Sequence, residues 1–275
     1  MSYSTLMVHL NLGSANTSLL QTASDLAERY QSRVIGVVAC QPALMFYGDG
    51  YVSGAAFELN REELKREMKD AEEQFRNALH NRVGTLEWRS AMIYTSLVEH
   101  IASEARCADM VITSAQKGDF LDASRIVSAG ELVLQAGRPV LFVPAVVQRP
   151  KLERVVVAWK DTREARRAVV DALPMLKTAA HVAVVEVTTQ DDQQAAGLRL
   201  ADVASWLKRH GISAETVVHH SVGDDAAQLS AVAFEQDADL VVAGAYGHSR
   251  IREWVLGGVT RSLLQTMNLC ALVSH

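Results

Sequence analysis

The stretch ADLVVAGA, residues 238–245, decides the fold of this chain, because it matches an earlier segment at four of its eight positions and is similar to it at others. That earlier segment is ADMVITSA, residues 108–115, which lies about 130 residues upstream. The apolar run that begins at Arg138 (RPVLFV) and the run that begins at Leu269 (LCALVS) are separated by nearly the same offset. The sequence therefore predicts a tandem duplication of one structural unit.

Within each unit, short apolar runs alternate with amphipathic helical patterns. Runs such as RVIGVVA (33–39) and VAVVEV (182–187) are continuous in Val, Ile and Ala, which is typical of strands buried on both faces of a parallel sheet. Each half contains five such strand signals. We predict an α/β protein of two tandem, doubly wound, open parallel-sheet domains with five strands each.

The predicted boundary between the domains is the segment PAVVQRP, residues 144–150, whose two prolines interrupt any regular element. This places one domain at 1–147 and the other at 150–275. The last short strand of each half is a candidate sheet edge, and pairing of the two edges would make the chain an intramolecular pseudo-dimer. A homodimer of separate chains is the alternative.

Composition and charge exclude several classes of function. A formal net charge of -5 is unfavourable for nucleic acid as the main partner. The three cysteines are far apart, which favours buried thiols over disulfides or a zinc site. The sequence has neither a signal-peptide pattern at its beginning nor 18 consecutive apolar residues, so we expect a cytoplasmic protein without a membrane partner.

A glycine-rich segment follows the repeated stretch in the second half only. GAYGHSRIREWVLGG, residues 244–258, has glycines at 244, 247, 257 and 258, and a helix is predicted from Gly258. Glycines let backbone N–H groups approach an anion closely, and a helix N-terminus offers further unpaired donors. The segment is therefore a candidate phosphate-binding loop, and a plain strand-to-helix turn is the alternative.

In this spacing, Gly-x2-Gly-x9-Gly, the chain resembles the universal stress protein family in its tandem two-domain form. The resemblance implies the nucleotide-binding fold of the adenine nucleotide alpha hydrolase type, with ATP, alone or with Mg²⁺, bound in the C-terminal half. Two positions depart from the family pattern: Gly258 stands where the family has Ser or Thr, and Lys160 where it has an adenosine-contacting Asp. The nucleotide-binding residues that the resemblance implies, with Lys160 as an alternative phosphate contact, are Gly244, Gly247, His248, Gly257, Gly258, Val259, Thr260, Lys160 and Val187.

The corresponding loop of the first half has lost the glycine pattern. It reads SAQKGDF, residues 114–120, so that Ser114 and Lys117 stand where the second half has Gly244 and Gly247. We therefore expect no ATP in the first half. The aromatic, glycine-rich stretch at 42–57 is interpreted either as a loop packed on the sheet or as a lid or self-association patch.

The sequence contains none of the catalytic motifs that we sought, among them G-x-S-x-G, the Walker lysine loop and HExxH, so we expect no enzyme activity. His219 and His220 are neighbours on a predicted strand and face opposite sides, which argues against a metal pair. We expect a stress-response protein that senses an adenine nucleotide. The alternative is a stress-response scaffold that binds no nucleotide and acts by dimerisation and partner docking.

Overall fold

The computed structural model describes residues 2–42, 54–114, 124–147, 149–221, 225–245 and 269–275. Most of the aromatic stretch at 42–57 and nearly all of both loops compared above lie outside the described residues.

Ten strands form one continuous, mostly parallel sheet. The strands of the first half are β1 (Thr5–His9), β2 (Arg33–Cys40), β3 (Leu86–Met92), β4 (Met110–Ser114) and β5 (Val140–Val143). Those of the second half are β6 (Arg154–Ala158), β7 (His181–Thr188), β8 (Glu215–His220), β9 (Leu240–Gly244) and β10 (Cys270–Ser274). Their order is β3-β2-β1-β4-β5-β10-β9-β6-β7-β8, which confirms the predicted class of two doubly wound units with five strands each.

The two units are joined by the pairing of their last strands. β10 runs antiparallel to β5, with Leu272 opposite Leu141 and Ala271 opposite Phe142, whereas every other pair of neighbouring strands is parallel. All residues of both strands are buried. The structure thus confirms that the two predicted edges cover each other within one chain.

Seven helices of the described residues cover the two faces of the sheet. They are α1 (Thr17–Tyr30), α2 (Gly54–Leu79), α3 (Leu97–Glu104), α4 (Ala129–Ala136), α5 (Arg163–Leu176), α6 (Gln193–Arg209) and α7 (Asp225–Glu235). Side chains of α1, α2, α5 and α6 join one apolar core that runs through both halves. On the opposite face, α3 and α4 cover the first half, and α7 covers a separate cluster in the second.

Contacts across the boundary tie the halves together on the shared face. The hydroxyl of Tyr3 donates to the backbone carbonyl of Asp171 in α5 at 2.6 Å, and the ring of Tyr3 stacks edge-on against Tyr30. Arg29 at the end of α1 donates to the carbonyl of Lys151 at 3.0 Å. The predicted domains, 1–147 and 150–275, remain a prediction, because these contacts connect the two halves and do not show where one domain ends.

Some predicted element limits differ from the observed ones. The helical pattern of the sequence predicts a helix over 197–209, but α6 begins at Gln193, because its polar first turn carries no apolar periodicity. The pattern also predicts a helix over 58–81, but α2 begins at Gly54. Cys40 and Cys270 are buried thiols as expected, whereas Cys107 is exposed in the turn that follows α3.

Across the described ranges, the structure contains no helix that is both long and apolar enough to cross a membrane.

If β5 and β10 make the sheet a single cooperative structure, a cavity in β10 destabilises both halves. We expect Leu272→Ala, at a fully buried position, to lower the free energy of unfolding by about 2–5 kcal/mol. Urea titration followed by hydrogen exchange of peptides from β2 and from β7 is expected to show one shared midpoint. The matched control is Leu198→Ala on α6, where the side chain is 68% exposed, with an expected change within about 0.5 kcal/mol. Separate midpoints for β2 and β7 would contradict the prediction.

Candidate functional site

The candidate site of the second half lies at the carboxyl ends of β6, β7 and β9. β6 leads through α5 to β7 on one side, whereas β9 pairs with β6 on the other side, so the direction of the connections reverses between β6 and β9. Open α/β sheets bind their ligands in the crevice at such a switch point. Among the nine predicted site residues, Gly244, Lys160 and Val187 are described, and all three follow or end these strands. Gly247, His248, Gly257, Gly258, Val259 and Thr260 lie outside the described residues.

Gly244 ends β9 in direct contact with the first turn of α5. A Cβ atom at this position would lie 2.4 Å from the backbone nitrogen of Ala165 and 2.4 Å from the carbonyl carbon of Glu164. Those atoms belong to a helix backbone, which cannot move aside as the end of a flexible side chain can. The absence of a side chain at Gly244 therefore lets α5 pack on β9, a role that the loop pattern did not reveal.

Ala245, the first residue after β9, is held by the C-terminal end of the chain. Its backbone N–H donates to the carbonyl of Ser274 at 2.8 Å, and its carbonyl accepts a hydrogen bond from Nδ1 of His275 at 3.1 Å. Its side chain is fully buried. The start of the glycine-rich segment is thus anchored at the end of the sheet.

The first turn of α5, which contacts Gly244, contains the carboxylate side chain of Glu164. Thr162 is the N-cap, and its hydroxyl accepts from the backbone N–H of Ala165 at 3.3 Å. Glu164 is only 4% exposed and pairs with the guanidinium of Arg163. Burial alone raises the pKa of Glu164, but hydrogen bonds from Arg163 and from the backbone outweigh it, so the pKa is lowered. The carboxylate therefore stays ionised, with Arg163 as its counter-charge.

Lys160 lies in the short segment between β6 and α5, where the resemblance expects an acidic side chain. It is exposed and makes no ion pair with any other described residue. The adjacent Asp161 pairs instead with Arg166 at 2.6 Å, on the surface of α5. Among the described residues at this strand end, Lys160 is an exposed positive charge without an ion pair, and an ammonium group of this kind suits a phosphate better than a ribose hydroxyl.

At the end of β7, an ion-pair network centred on the buried Glu186 holds the strand against α6. Val187 pairs with His219 of β8, and the preceding residue, Glu186, is buried. Arg199 of α6 donates to Glu186 at 2.6 Å and also contacts Asp192 at 2.5 Å. These two carboxylates raise the pKa of Arg199. Sequence reasoning missed this network, although the lone Glu in the apolar run VAVVEV was a visible signal.

In the first half, the chain's own groups occupy the equivalent strand ends. The backbone N–H of Gln41, directly after β2, donates to the carbonyl of Ser124 at 2.9 Å. The next residue, Arg125, binds Glu67 of α2 through both carboxylate oxygens, at 2.8 and 3.2 Å. The carboxamide of Asn11, after β1, donates to the hydroxyl of Ser114, where the second half has Gly244.

The segment between β1 and α1 also shapes an acidic cleft. It has seven residues (10–16), against four (159–162) between β6 and α5. The cleft between this segment and α2 has a volume of about 470 Å³, and its charged lining residues are Glu67 and Asp70. Glu67 is paired with Arg125, and Asp70 adds a second carboxylate to the lining. The absence of ATP from the first half stays a prediction.

The histidine pair of β8 is not part of a metal site among the described residues. Nε2 of His219 lies 2.8 Å from the side-chain oxygen of Gln228 in α7. The part of the chain that the structure describes contains no cluster of three or more histidine, cysteine or acidic residues able to hold a metal ion.

The fold and its switch point define this chain as a doubly wound α/β protein of two units, and comparisons with known proteins show which family its second half matches. A family model described as the universal stress protein family matches residues 151–274. Universal stress protein Slr1230 of Synechocystis sp. (strain ATCC 27184 / PCC 6803 / Kazusa) is 32% identical over 94 residues. That match covers 34% of this chain and only 31% of the relative's length.

Solved structures extend the likeness of fold to the whole chain. A universal stress protein from Archaeoglobus fulgidus DSM 4304 has a TM-score of 0.75 at 16% identity, covering 98% of this chain and 95% of that one. A universal stress protein solved in complex with cAMP is 24% identical and covers 44% of this chain and 94% of its own, with a TM-score of 0.37. Residues 151–274 therefore match the model of the universal stress protein family, and the whole chain shares the two-domain fold of the Archaeoglobus fulgidus protein.

Because α5 packs directly on Gly244, a methyl group at this position is expected to destabilise the protein whether or not a ligand binds. We expect Gly244→Ala to lower the free energy of unfolding by about 1–3 kcal/mol or more, measured by urea denaturation. The matched control is Gly197→Ala in α6, where a Cβ atom meets nothing within 4 Å. That substitution is expected to stabilise by about 0.5–1 kcal/mol, through helix propensity alone. Equal effects of the two substitutions would contradict the packing role.

The first half contains a buried histidine at the end of β1. Nδ1 of His9 lies 3.0 Å from the hydroxyl of Thr113 in β4, and burial lowers the pKa of His9 to about 4. In the unfolded chain, the imidazole of His9 has a pKa near 6.5. Between pH 6.5 and 4 it therefore binds a proton that the buried imidazole of the folded protein does not bind. Stability that is complete above about pH 7 is therefore lost as the pH falls through this window.

We expect the free energy of unfolding to decrease by about 2 kcal/mol between pH 7 and pH 5 through His9 alone. Denaturation at a series of pH values measures the slope, and His9→Gln is expected to remove this contribution. His80→Gln is the control, because it removes an exposed imidazole that directly follows α2. A slope that is the same in His9→Gln and in the unaltered protein would refute the assignment.

Proposed function

We propose that this protein binds an adenine nucleotide, with ATP as the first choice, at the carboxyl ends of β6, β7 and β9 of its C-terminal half. The proposed role is sensing or regulation in a stress response rather than turnover of the nucleotide.

The observation that carries the proposal is the position of Gly244. It ends β9 at the switch point, against the N-terminal turn of α5, and the glycine-rich segment of residues 244–258 starts there. The family fingerprint in that segment retains all three spaced glycines, at 244, 247 and 257. A phosphate chain bound by this segment would lie beside the end of β6, within the neighbourhood of the exposed Lys160.

Lys160 and Gly258 are the two residues at which the proposed site differs from the family pattern. Where the family fingerprint has a hydroxyl, Gly258 leaves only a backbone N–H, and Lys160 supplies a positive charge near the strand end in place of an acidic side chain. Both changes shift recognition toward the phosphates and away from the ribose. Mg²⁺ would accompany ATP through the phosphate oxygens, because the described residues supply no carboxylate cluster for it.

The contrast between the halves supports a single site for each chain. At the corresponding strand ends of the first half, Ser114 binds Asn11, Ser124 occupies the N–H of Gln41, and Glu67 and Asp70 line the cleft. We therefore propose a stoichiometry of one nucleotide per chain. The first half would serve to pair with β10 and to complete the sheet.

Calorimetric titration of ATP with Mg²⁺ into protein freed of ligand tests the proposal. We expect saturable binding with one site per chain. Gly247→Asp is expected to weaken it roughly 100-fold or more, because a carboxylate would then face the phosphates. The matched control is Lys117→Asp in the first half, at the position that corresponds to Gly247, and it should bind ATP like the unaltered chain.

Absence of heat at millimolar ATP would overturn the proposal. The protein would then be a scaffold of the same fold that acts through partner docking. If the Gly247 and Lys117 variants lose affinity for ATP to the same extent, the nucleotide does not bind at the glycine-rich segment.

A further inference from the structure

We propose that Trp159 is a ligand-contact residue at the nucleoside end of this site, where its indole N–H donates a hydrogen bond to an acceptor on the nucleoside of the bound nucleotide. The inference rests on the proposed function. It adds a residue that recognises the nucleoside, because Lys160 stands where the family pattern has an Asp that contacts adenosine.

Trp159 extends β6 by one residue at the switch point. Its backbone N–H donates to the carbonyl of Val185 in β7 at 2.7 Å, which continues the parallel pairing beyond Ala158. Strand alternation therefore points its side chain to the same face as Val155 and Val157, where it packs against the shared core. α5 lies mainly over β9 and β10, and α6 over β7 and β8, so that Trp159 stands where the two helices diverge.

The indole nitrogen of Trp159 is buried and lacks a hydrogen-bond partner among the described residues. A buried donor without an acceptor is costly, and such groups in native proteins need an explanation. Tryptophan N–H groups usually find a partner when buried. An acceptor that arrives with a bound nucleotide would satisfy this donor.

The nearest charged network on the same face does not supply that acceptor. Glu186 follows Val185 on β7 and is the register neighbour of Trp159, but its carboxylate is already bound by Arg199 through both oxygens, at 2.6 and 3.3 Å. Arg199 also contacts Asp192 and is thereby fixed in place. The indole N–H of Trp159 therefore has no acceptor in this network.

The first half supplies an internal comparison. Leu10 follows β1 as Trp159 follows β6, and its backbone N–H donates to Val37 in β2 at 3.0 Å. Its side chain is buried and wholly apolar, and Val38 stands where β7 has Glu186. The unsatisfied donor thus occurs in the half that has the glycine-rich segment, and the half with the closed strand ends has a leucine.

The proposal separates two parts of the ligand. Phosphates would bind at the glycine-rich segment and Lys160, whereas Trp159 would reach a ribose oxygen or a ring nitrogen of the base. Its contribution is therefore expected for ATP and not for inorganic triphosphate, which has no nucleoside.

Calorimetric titration of ATP and of inorganic triphosphate into Trp159→Phe tests this assignment, because the phenyl ring retains most of the apolar surface but has no donor. We expect ATP to bind about tenfold more weakly, the effect of one lost hydrogen bond, and triphosphate to bind as it does to the unaltered protein. Trp206→Phe is the control, because Trp206 stacks on His210 in α6, with ring centroids 4.3 Å apart, and is expected to leave both affinities unchanged.

A second variant distinguishes loss of the indole hydrogen bond from loss of the folded structure. Trp159→Leu introduces the residue that the first half uses at the same place, and it is expected to retain the fold and to show at least the same weakening toward ATP. If the unaltered protein binds no ATP, the proposed function fails and this inference fails with it. If the unaltered protein binds ATP and the Trp159 variants bind it equally well, or lose ATP and triphosphate to the same extent, the inference alone is overturned.

Discussion

The antiparallel contact between β5 and β10 is the constraint on which the rest of this structure depends. Each strand would otherwise be the edge of a five-stranded parallel sheet, with unpaired backbone groups along a strand whose residues are all buried in this structure. Their pairing joins ten strands and allows one core, filled by α1, α2, α5 and α6, to continue through both halves. The position of α5, and with it the candidate site, is therefore set partly by the first half, through Tyr3 at the beginning of the chain.

Two copies of one architecture have acquired different chemistry at equivalent strand ends. Ser114 and Asn11 close the switch point of the first half with a side-chain hydrogen bond, whereas Gly244 leaves room for the backbone of α5. The segment before α1 is three residues longer and forms a cleft with α2 whose lining includes Glu67 and Asp70. These are small changes of side-chain size and loop length, and the shared sheet persists because it depends on the apolar strands that both halves retain.

The sequence allowed the fold class to be predicted because parallel strands buried on both faces leave unmistakable apolar runs, and the repeat of ADMVITSA as ADLVVAGA gave the duplication. The pairing of β5 with β10 was also predictable, since a short apolar edge needs a cover. The roles of Gly244, Trp159 and Glu186 were not predictable in the same way. Each depends on which element packs above it, and a spacing pattern contains no information on the distance between a strand end and a helix backbone.

The shared edge also has a consequence for any attempt to study the halves separately. A fragment that contains only the second half would carry β10 with one side unpaired, and every residue of that strand is apolar or small. The geometry that receives β5 would then be open to the β10 of another copy, since antiparallel pairing about a twofold axis is self-complementary. Dimerisation of such a fragment would be a substitute for the missing half and would say little about the association of the complete chain.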